Sequence, residues 1–275
     1  MKFVILTDPH FVPEGEPLYG LDPRANLARA VEVINRDHPD IAFVILLGDL
    51  TQRGERAAYA SIAETLAPLR APLIPLTGNH DSRAMLREAL PQADSDPDGF
   101  VQALRVFDAA SILTLDTLDE GGGSSAGVLC RERLSFLEQS LNEAPVDRPL
   151  LMFQHHPPFD TGLQAMDRIK LANPEEEWAV IARSRRPDYL FMGHVHRPVS
   201  GLWRGIPFHI QRGVSHQVGF EFENVDGIPG SHEGPDYALV EVGAGGIVIH
   251  QRQFLFEGPR FSLHDKVAQR AARLG

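Results

Sequence analysis

The sequence predicts an α/β fold in which a sheet is covered by helices and a later run of strands packs onto that layer. Three observations predict it: six short apolar runs rich in Val, Ile, Leu and Phe, helical segments recurring between them, and strands without long helices after Gly193. The first run is Phe3 to Leu6. A helix follows, with Asp22 as N-cap, Pro23 at the first helical position, and Leu27, Val31 and Ile34 on one apolar face. Ile41 to Leu47, Pro72 to Leu76, Ile112 to Leu115, Leu150 to Phe153 and Tyr189 to Met192 are the remaining runs. Between the last two, Asn173-Pro174-Glu175-Glu176-Glu177 repeats the grammar of a helix start: a cap, a proline, then acids where the helix dipole favours them.

After Gly193 the predicted strands are Phe208 to Gln211, Val214 to Val218, Tyr237 to Val242 and Ile247 to Phe254, the last two joined by a turn at Gly243-Ala244-Gly245-Gly246. They suggest an antiparallel sheet on the first layer. Glu221 to Asp236 is a long Gly- and Pro-containing loop, suited to a lid or an interface. Gly121 to Ser125 is a flexible connector, because it lacks the Lys and Ser/Thr of a phosphate-binding P-loop. A final helix is expected from about Asp265 to Leu274. Neither repeats nor a break in composition divide the chain, so residues 1–275 read as one domain, with 205–260 supplying second-sheet strands and a cap or dimerisation segment.

Composition narrows the function. With 275 residues, 43% hydrophobic and 23% charged, the chain can bury a large core without staples. Its one cysteine, Cys130, excludes an intramolecular disulfide and a multi-cysteine zinc site. The net charge of −11 argues against duplex nucleic acid or an anionic membrane as a partner. No apolar stretch approaches the ~20 residues of a membrane span, and the four apolar residues after Lys2 are too few for a signal-peptide core, so a cytoplasmic protein is expected.

Metal-capable residues fall at strand ends. Asp8-Pro9-His10 follows the first run, Gly48-Asp49 the second, Gly78-Asn79-His80-Asp81 the third, His155-His156 the fifth and Gly193-His194-Val195-His196 the sixth. In a parallel sheet all C-terminal strand ends share one edge, so these residues can converge there. In extended chain, Asp8 with His10 and His194 with His196 would each point to one side. The glycines before Asp49, Asn79 and His194 permit turns tight enough to aim those side chains over the edge. Carboxylate, amide oxygen and imidazole together suit two divalent first-row ions such as Mn, Fe, Zn or Co.

These five blocks, in order, resemble the calcineurin-like metallophosphoesterase family, whose pattern is D-x-H, G-D, G-N-H-D/E, H and G-H-x-H. The resemblance implies a four-layer α/β/β/α sandwich of two mixed sheets flanked by helices, with a dinuclear site at the C-terminal ends of the strands. It implies that Asp8, His10, Asp49 and His196 hold one ion, and that Asp49, Asn79, His155 and His194 hold the other, Asp49 bridging. Gln154-His155-His156-Pro157-Pro158-Phe159 and Gly193-His194-Val195-His196-Arg197-Pro198 are similar to the branch holding class III cyclic nucleotide phosphodiesterases and bacterial glycerophosphodiesterases. Gln52 and Asp81 depart from the protein Ser/Thr phosphatase branch, which has Asp and Glu at the corresponding places. The expectation is therefore hydrolysis of a small phosphodiester by a hydroxide shared between two ions, in a homodimer or higher assembly. Phosphomonoesterase, nuclease and metal-free scaffold are the competing functions.

Asp49, Asn79 and His80 are the candidate catalytic residues; Asn79, His80 and His216 are the candidate substrate contacts. An imidazole at His80 can stabilise charge on phosphorus or protonate the leaving oxygen, and both roles stay open. His216 reads either as a substrate contact or as an ordinary strand residue. His38, His209, His232, His250 and His264 read as structural or surface histidines, His156 as packing beside a ligand, and Arg53 and Arg197 as surface ion pairs in preference to phosphate contacts. Asp81 reads as the cap of a helix beginning near Ser82, while Phe153, Phe159 and Phe191 read as core.

Overall fold

A computed structural model of the chain describes residues 1–223, 227–259 and 261–262. In chain order the elements are β1 (Lys2–Leu6), α1 (Pro23–Asp37), β2 (Val44–Leu47), α2 (Arg56–Leu66), β3 (Leu73–Leu76), α3 (Arg83–Ala89), β4 (Ala103–Val106) and β5 (Ser111–Leu115). They continue as α4 (Arg131–Glu143), β6 (Leu150–Gln154), α5 (Gln164–Asp167), α6 (Pro174–Arg183), β7 (Tyr189–Met192), β8 (Val199–Trp203) and β9 (Ile206–Ile210). The last are β10 (Gln217–Val218), β11 (Gly230–Ser231), β12 (Asp236–Gly243) and β13 (Gly246–Gln253).

The strands form two mixed sheets and a small ribbon. One sheet has the order β13-β12-β1-β2-β3, the other β4-β5-β6-β7-β9-β8, and β10 pairs with β11. Strand alternation explains the layering. Val4, Leu6, Val44 and Leu46 face Leu27, Val31, Ile34, Ile62 and Leu86 on α1 to α3. Phe3, Ile5, Phe43 and Ile45 point the other way and meet Ile112, Leu151, Phe153 and Phe191 of the second sheet. Leu113, Met152 and Leu190 then face Leu137, Leu141, Val180 and Ile181 on α4 and α6. Each sheet is apolar on both faces, so a helix layer covers one face and the partner sheet covers the other. This is the four-layer α/β/β/α sandwich. Full burial of each such Leu, Ile or Phe contributes roughly 1.5 to 3 kcal/mol, and most of the inter-sheet layer is 0% exposed.

Two expectations about the strands need correction. The six leading runs do not share one sheet: β1, β2 and β3 are parallel neighbours in the first, and β5, β6 and β7 in the second. Nor do the strands after Gly193 form a sheet of their own. β9 pairs parallel with β7, whereas β12 lies antiparallel to β1 and β13 to β12, extending the first sheet. Thus 205–260 feeds both sheets. The expected strand at Val214 to Val218 shrinks to β10, because the amides of Val214 and Ser215 donate instead to the carbonyls of Thr7 and Asp8. β4 and β8 are edge strands that periodicity missed; one is half-exposed and the other carries Gly201.

Helix starts follow the sequence reading in part. Asp22 caps α1, its carboxylate accepting from the amides of Arg24 and Ala25. Asn173 precedes α6 but spends its side chain on both backbone groups of Leu129, tying α6 to the start of α4. Asp81 does not cap α3, whose N-cap is Ser82. The expected helix at Asp265 to Leu274 and His264 lie outside the described residues. Among the described residues, no helix is long and apolar enough to cross a membrane.

Glu177, in the first turn of α6, is 0% exposed and neither carboxyl oxygen has a hydrogen-bond partner. Burial pushes its pKa up to about 8, so it is protonated at neutral pH. The folded value lies above the ordinary 4.5, so the native state holds the proton more tightly. Stability is therefore full below about pH 4.5 and declines as pH rises towards 8. Glu177→Gln is expected to flatten that decline and to exceed wild type by on the order of 3 kcal/mol at pH 9, measured by urea melts. Equal pH profiles for the two proteins would contradict the buried neutral acid.

Candidate metal centre

Asp8, Asp49 and Asn79 leave the first sheet just after β1, β2 and β3; His155 and His194 leave the second just after β6 and β7. The two sheets present the same ends on one side, so all seven sequence-predicted donors meet. Asp8, His10, Asp49 and His196 place donor atoms within 4.8 Å of one another, as do His155, His156 and His194. Asn79 lines the same cavity as His10, Asp49, His194 and His196.

The backbone that aims these groups is not extended. Asp8 (φ 53°), His10 (48°), Asp49 (50°), His194 (67°) and His196 (53°) all occupy the left-handed region, which costs a non-glycine residue about 1 kcal/mol or more. Side chains two apart do converge, through successive left-handed turns rather than strand alternation. Gly48 (φ 90°) precedes Asp49, and a Cβ on it would lie 2.6 Å from His155 Nδ1. A Cβ on Gly78 would meet Asp49 Oδ1 at 2.2 Å and His155 Nε2 at 2.7 Å. These glycines let loops from opposite sheets touch.

Five of the seven candidate donors, His10, His155, His196, Asp8 and Asp49, are oriented by a second bond. His10 Nδ1–H donates to Gln52 Oε1 (2.8 Å), His196 Nδ1–H to the carbonyl of His216 (2.8 Å), and His155 Nδ1–H to that of Leu47 (2.6 Å). Every one of those rings then directs a bare Nε2 inward. Asp8 Oδ2 accepts from Thr7 Oγ1–H (2.6 Å) and the amide of His194 (3.1 Å), and Asp49 Oδ1 accepts from the amide of His80 (2.8 Å).

The remaining atoms are left without partners. Asp8 Oδ1, Asn79 Oδ1, His155 Nε2 and His194 Nε2 are buried and accept no hydrogen bond. His10 Nε2 and His196 Nε2 face each other at 3.0 Å, two lone pairs that repel unless positive charge lies between them. Asp49 Oδ2 is 3.5 Å from His10 Nε2 and 3.3 Å from His155 Nε2, between the two groups. Inward lone pairs of carboxylate, amide and imidazole, in a pocket where orphaned acceptors are costly, fit divalent cations.

Burial disfavours charge throughout, and the neighbours set the outcome. Asp8 stays well below the usual carboxylate range because His196 and His155 outweigh its desolvation. Asp49 is likewise held low, chiefly by His155 and His80. Against its own burial, His155 is pushed up to about 9 by Asp49 and Asp8, while burial and the charge of His155 drive His194 down to about 3. Two ionised carboxylates thus draw positive charge into the site, and a bound cation would supply it in place of a proton on His155, leaving Nε2 bare.

The other predicted residues take distinct places. His80 lines the cavity and donates from Nδ1 to the carbonyl of Gln52 (2.8 Å), which leaves Nε2 for a ligand. His216 also lines it, its ring 4.6 Å from that of His196 and 4.8 Å from that of Tyr19, with Nδ1 unpartnered. His156 has both nitrogens engaged, with Thr117 Oγ1 (2.7 Å) and the carbonyl of Ser125 (3.2 Å), so it packs against the donors. Asp81 is a correction: it is 7% exposed and turned into the protein, where it accepts four hydrogen bonds instead of capping a helix. Arg197 forms the expected ion pair, with Glu233, although its side chain is only 12% exposed and also donates to the carbonyl of Val218. Arg53 does remain an exposed partner of Glu16 and Glu55.

Sequence reasoning passed over Thr7, Gln52 as a support for His10, and Tyr19. Thr7 and Gln52 lie within three residues of a donor, which is the signal that could have found them. Tyr19 carries no such signal. The cavity measures about 830 Å³. Besides the donors it is lined by Tyr19, Met166, Ile169 and Val218 and by residues Ile228 to His232. That last stretch is tied down by the β10–β11 pairing and by His232 Nε2–H, which donates to the carbonyl of Tyr19 (2.8 Å). The expected loop at 221–236 therefore supplies part of the cavity lining.

Residues 1–198 match the family model described as calcineurin-like phosphoesterase. A Rhodopseudomonas palustris protein named "Probable cyclic nucleotide phosphodiesterase" is 62% identical, over 98% of each chain. The 3′,5′-cyclic adenosine monophosphate phosphodiesterase CpdA of Escherichia coli K12 is 32% identical over 74% of this chain and 73% of its own. The glycerophosphodiester phosphodiesterase GpdQ of Enterobacter lignolyticus is 31% identical over 82% and 81%. Among solved structures, a dimetal phosphatase from Danio rerio superposes with a TM-score of 0.67 at 15% identity, covering 92% of this chain and 96% of that one; it shares the fold.

Proposed function

The chain belongs to the calcineurin-like phosphoesterase family, and from that premise we propose that it hydrolyses small phosphodiesters, cyclic nucleotides first, at a centre of two divalent transition-metal ions. The observation that carries the reading is the set of inward, unpartnered donor atoms: Asp8 Oδ1, Asn79 Oδ1, His155 Nε2 and His194 Nε2, with the opposed Nε2 atoms of His10 and His196. Asp8, His10, Asp49 and His196 would hold one ion, and Asp49, Asn79, His155 and His194 the other. Bound there, Mn, Fe, Zn or Co would supply Lewis acidity towards a phosphoryl oxygen and lower the pKa of a water that attacks phosphorus.

The chain's own groups do the rest. Asp49 balances charge on both sides of the site. Asn79 and His80 follow one another on the β3 loop, so an anionic phosphoryl group held at Asn79 lies beside the His80 ring. The fixed bond from His80 Nδ1 to the carbonyl of Gln52 orients Nε2 to hold a proton towards the phosphoryl or leaving oxygen. His216, with Nδ1 unpartnered, is the second polar contact for substrate. Tyr19, Met166, Ile169, Val218 and Ile228 give the cavity an apolar and aromatic surface suited to a nucleobase. Residues 228–232 along the same lining would restrict access of bulk water and of a duplex.

Turnover of 3′,5′- and 2′,3′-cyclic nucleotides, glycerophosphoethanolamine, bis-p-nitrophenyl phosphate, p-nitrophenyl phosphate and plasmid tests the reading, with bound metals counted by elemental analysis. Cyclic nucleotides are expected to have the highest kcat/KM. Fastest turnover of the monoester would reject it. Glycerophosphoethanolamine in first place would keep the chemistry and replace the substrate.

A further inference from the structure

Asp81 is a buried carboxylate whose four hydrogen bonds come from three separate pieces of chain. Oδ2 accepts from the amides of Leu50 (3.1 Å) and Gly78 (2.9 Å), and Oδ1 from the amide of Thr51 (3.2 Å) and the hydroxyl of Tyr59 (2.7 Å). Leu50 follows Asp49; Gly78 precedes Asn79. Tyr59 reaches in from α2, is itself 1% exposed, and accepts from the amide of Ser82 (3.0 Å). One anion therefore joins the loop after β2 to the loop after β3 at the residues beside Asp49 and Asn79.

Strand pairing between β2 and β3 stops at Leu47 and Leu76. Past that point the ladder no longer fixes how far apart the two loops sit. Asp49 has a positive φ there, so its place in the turn is held by contacts and not by backbone preference. A carboxylate accepting several N–H bonds is a short, strong link in a dry interior.

We propose that Asp81 is a positioning residue that clamps the Asp49 loop to the Asn79 loop and so sets the spacing of the two ion-binding halves. It touches neither ion nor substrate. Its carboxylate works through the amides on either side of the donors, and Tyr59 locks it in place. The inference rests on the assignment of Asp49 and Asn79 as ligands under the proposed function.

The test is a manganese titration of the metal-free protein by equilibrium dialysis with elemental analysis, beside kcat and KM on bis-p-nitrophenyl phosphate at saturating manganese. Asp81→Asn is near-isosteric but turns an N–H₂ towards N–H donors. It is expected to raise the manganese concentration for half-occupancy by roughly 10- to 100-fold, the range for losing a group that orients metal ligands. Its kcat should fall while KM stays within about twofold, and Asp81→Glu, longer by one methylene, should not restore either. Tyr59→Phe keeps the three amide bonds and should weaken manganese binding less. Leu86→Ala, a core change on α3, supplies the structural control: it should lower Tm and leave manganese affinity within about twofold.

Wild-type manganese affinity in Asp81→Asn overturns the proposal, as does a shift in Leu86→Ala equal to that of Asp81→Asn at the same loss of Tm. Should Asp81→Asn fail to fold, Tyr59→Phe decides, and unchanged manganese affinity in it overturns the clamp. A wild-type chain that binds no manganese removes the proposed function and the clamp together; one that binds two ions but hydrolyses no diester removes the function alone.

Discussion

Asp49→Ala is expected to lower kcat/KM for a phosphodiester by at least about 10³-fold, the scale reached when one member of a unit of catalytic groups is lost. The size follows from where the side chain stands. Its Oδ2 is within 3.5 Å of both His10 Nε2 and His155 Nε2, and its Oδ1 receives the amide of His80. Removing it takes negative charge from both ion-binding groups and frees the loop that carries His80. Folding should survive, since the cores on either side of the first sheet do not depend on Asp49. Asp49→Asn separates charge from shape: it keeps an acceptor and tolerates the left-handed backbone, yet should lose nearly as much activity. Asn79→Ala, which removes an unpartnered acceptor, should act in the same direction. Steady-state kinetics with a thermal melt of each variant decides the matter, and near-wild-type turnover in both Asp49 variants would remove Asp49 from the catalytic centre.

Dialysis against a chelator is expected to abolish diester hydrolysis and to lower Tm, with manganese restoring both. Stripped of cations, the opposed Nε2 atoms of His10 and His196 at 3.0 Å can be relieved only by a proton. A ligand at 100 times its Kd stabilises the fold by about 2.7 kcal/mol. In a chain of this size each kcal/mol moves Tm by roughly 2 to 4 °C. A rise of several degrees on adding manganese is therefore the expected reading in a thermal shift assay. Full activity and an unmoved melt after exhaustive chelation would contradict the metal centre.

The candidate donors were legible because ligand chemistry is written in residue type, and their positions after apolar runs put them at strand ends. The same reading misjudged how the chain aims them. Asp8 and His10 converge through left-handed turns, which their positive φ values show and a two-residue spacing does not. Asp81 stood beside a helix start and read as its cap; four donors from elsewhere in the chain turned it inwards. Arg197 read as an ion pair and is one, but nothing in its neighbourhood names its partner Glu233, 36 residues away.

Taken alone, the sequence determined the α/β alternation, the candidate donors and the family pattern, since each run and each block is read from residues close together in the chain. Only the tertiary structure decided that β1 to β3 and β5 to β7 belong to different sheets, that β12 and β13 extend the first, and that 228–232 lines the cavity. The physical reason is that a buried strand is apolar on both faces whichever sheet it joins, and a carboxylate accepts from whichever N–H the fold brings near. Those choices are settled by packing between segments far apart in the chain, where local pattern carries no information.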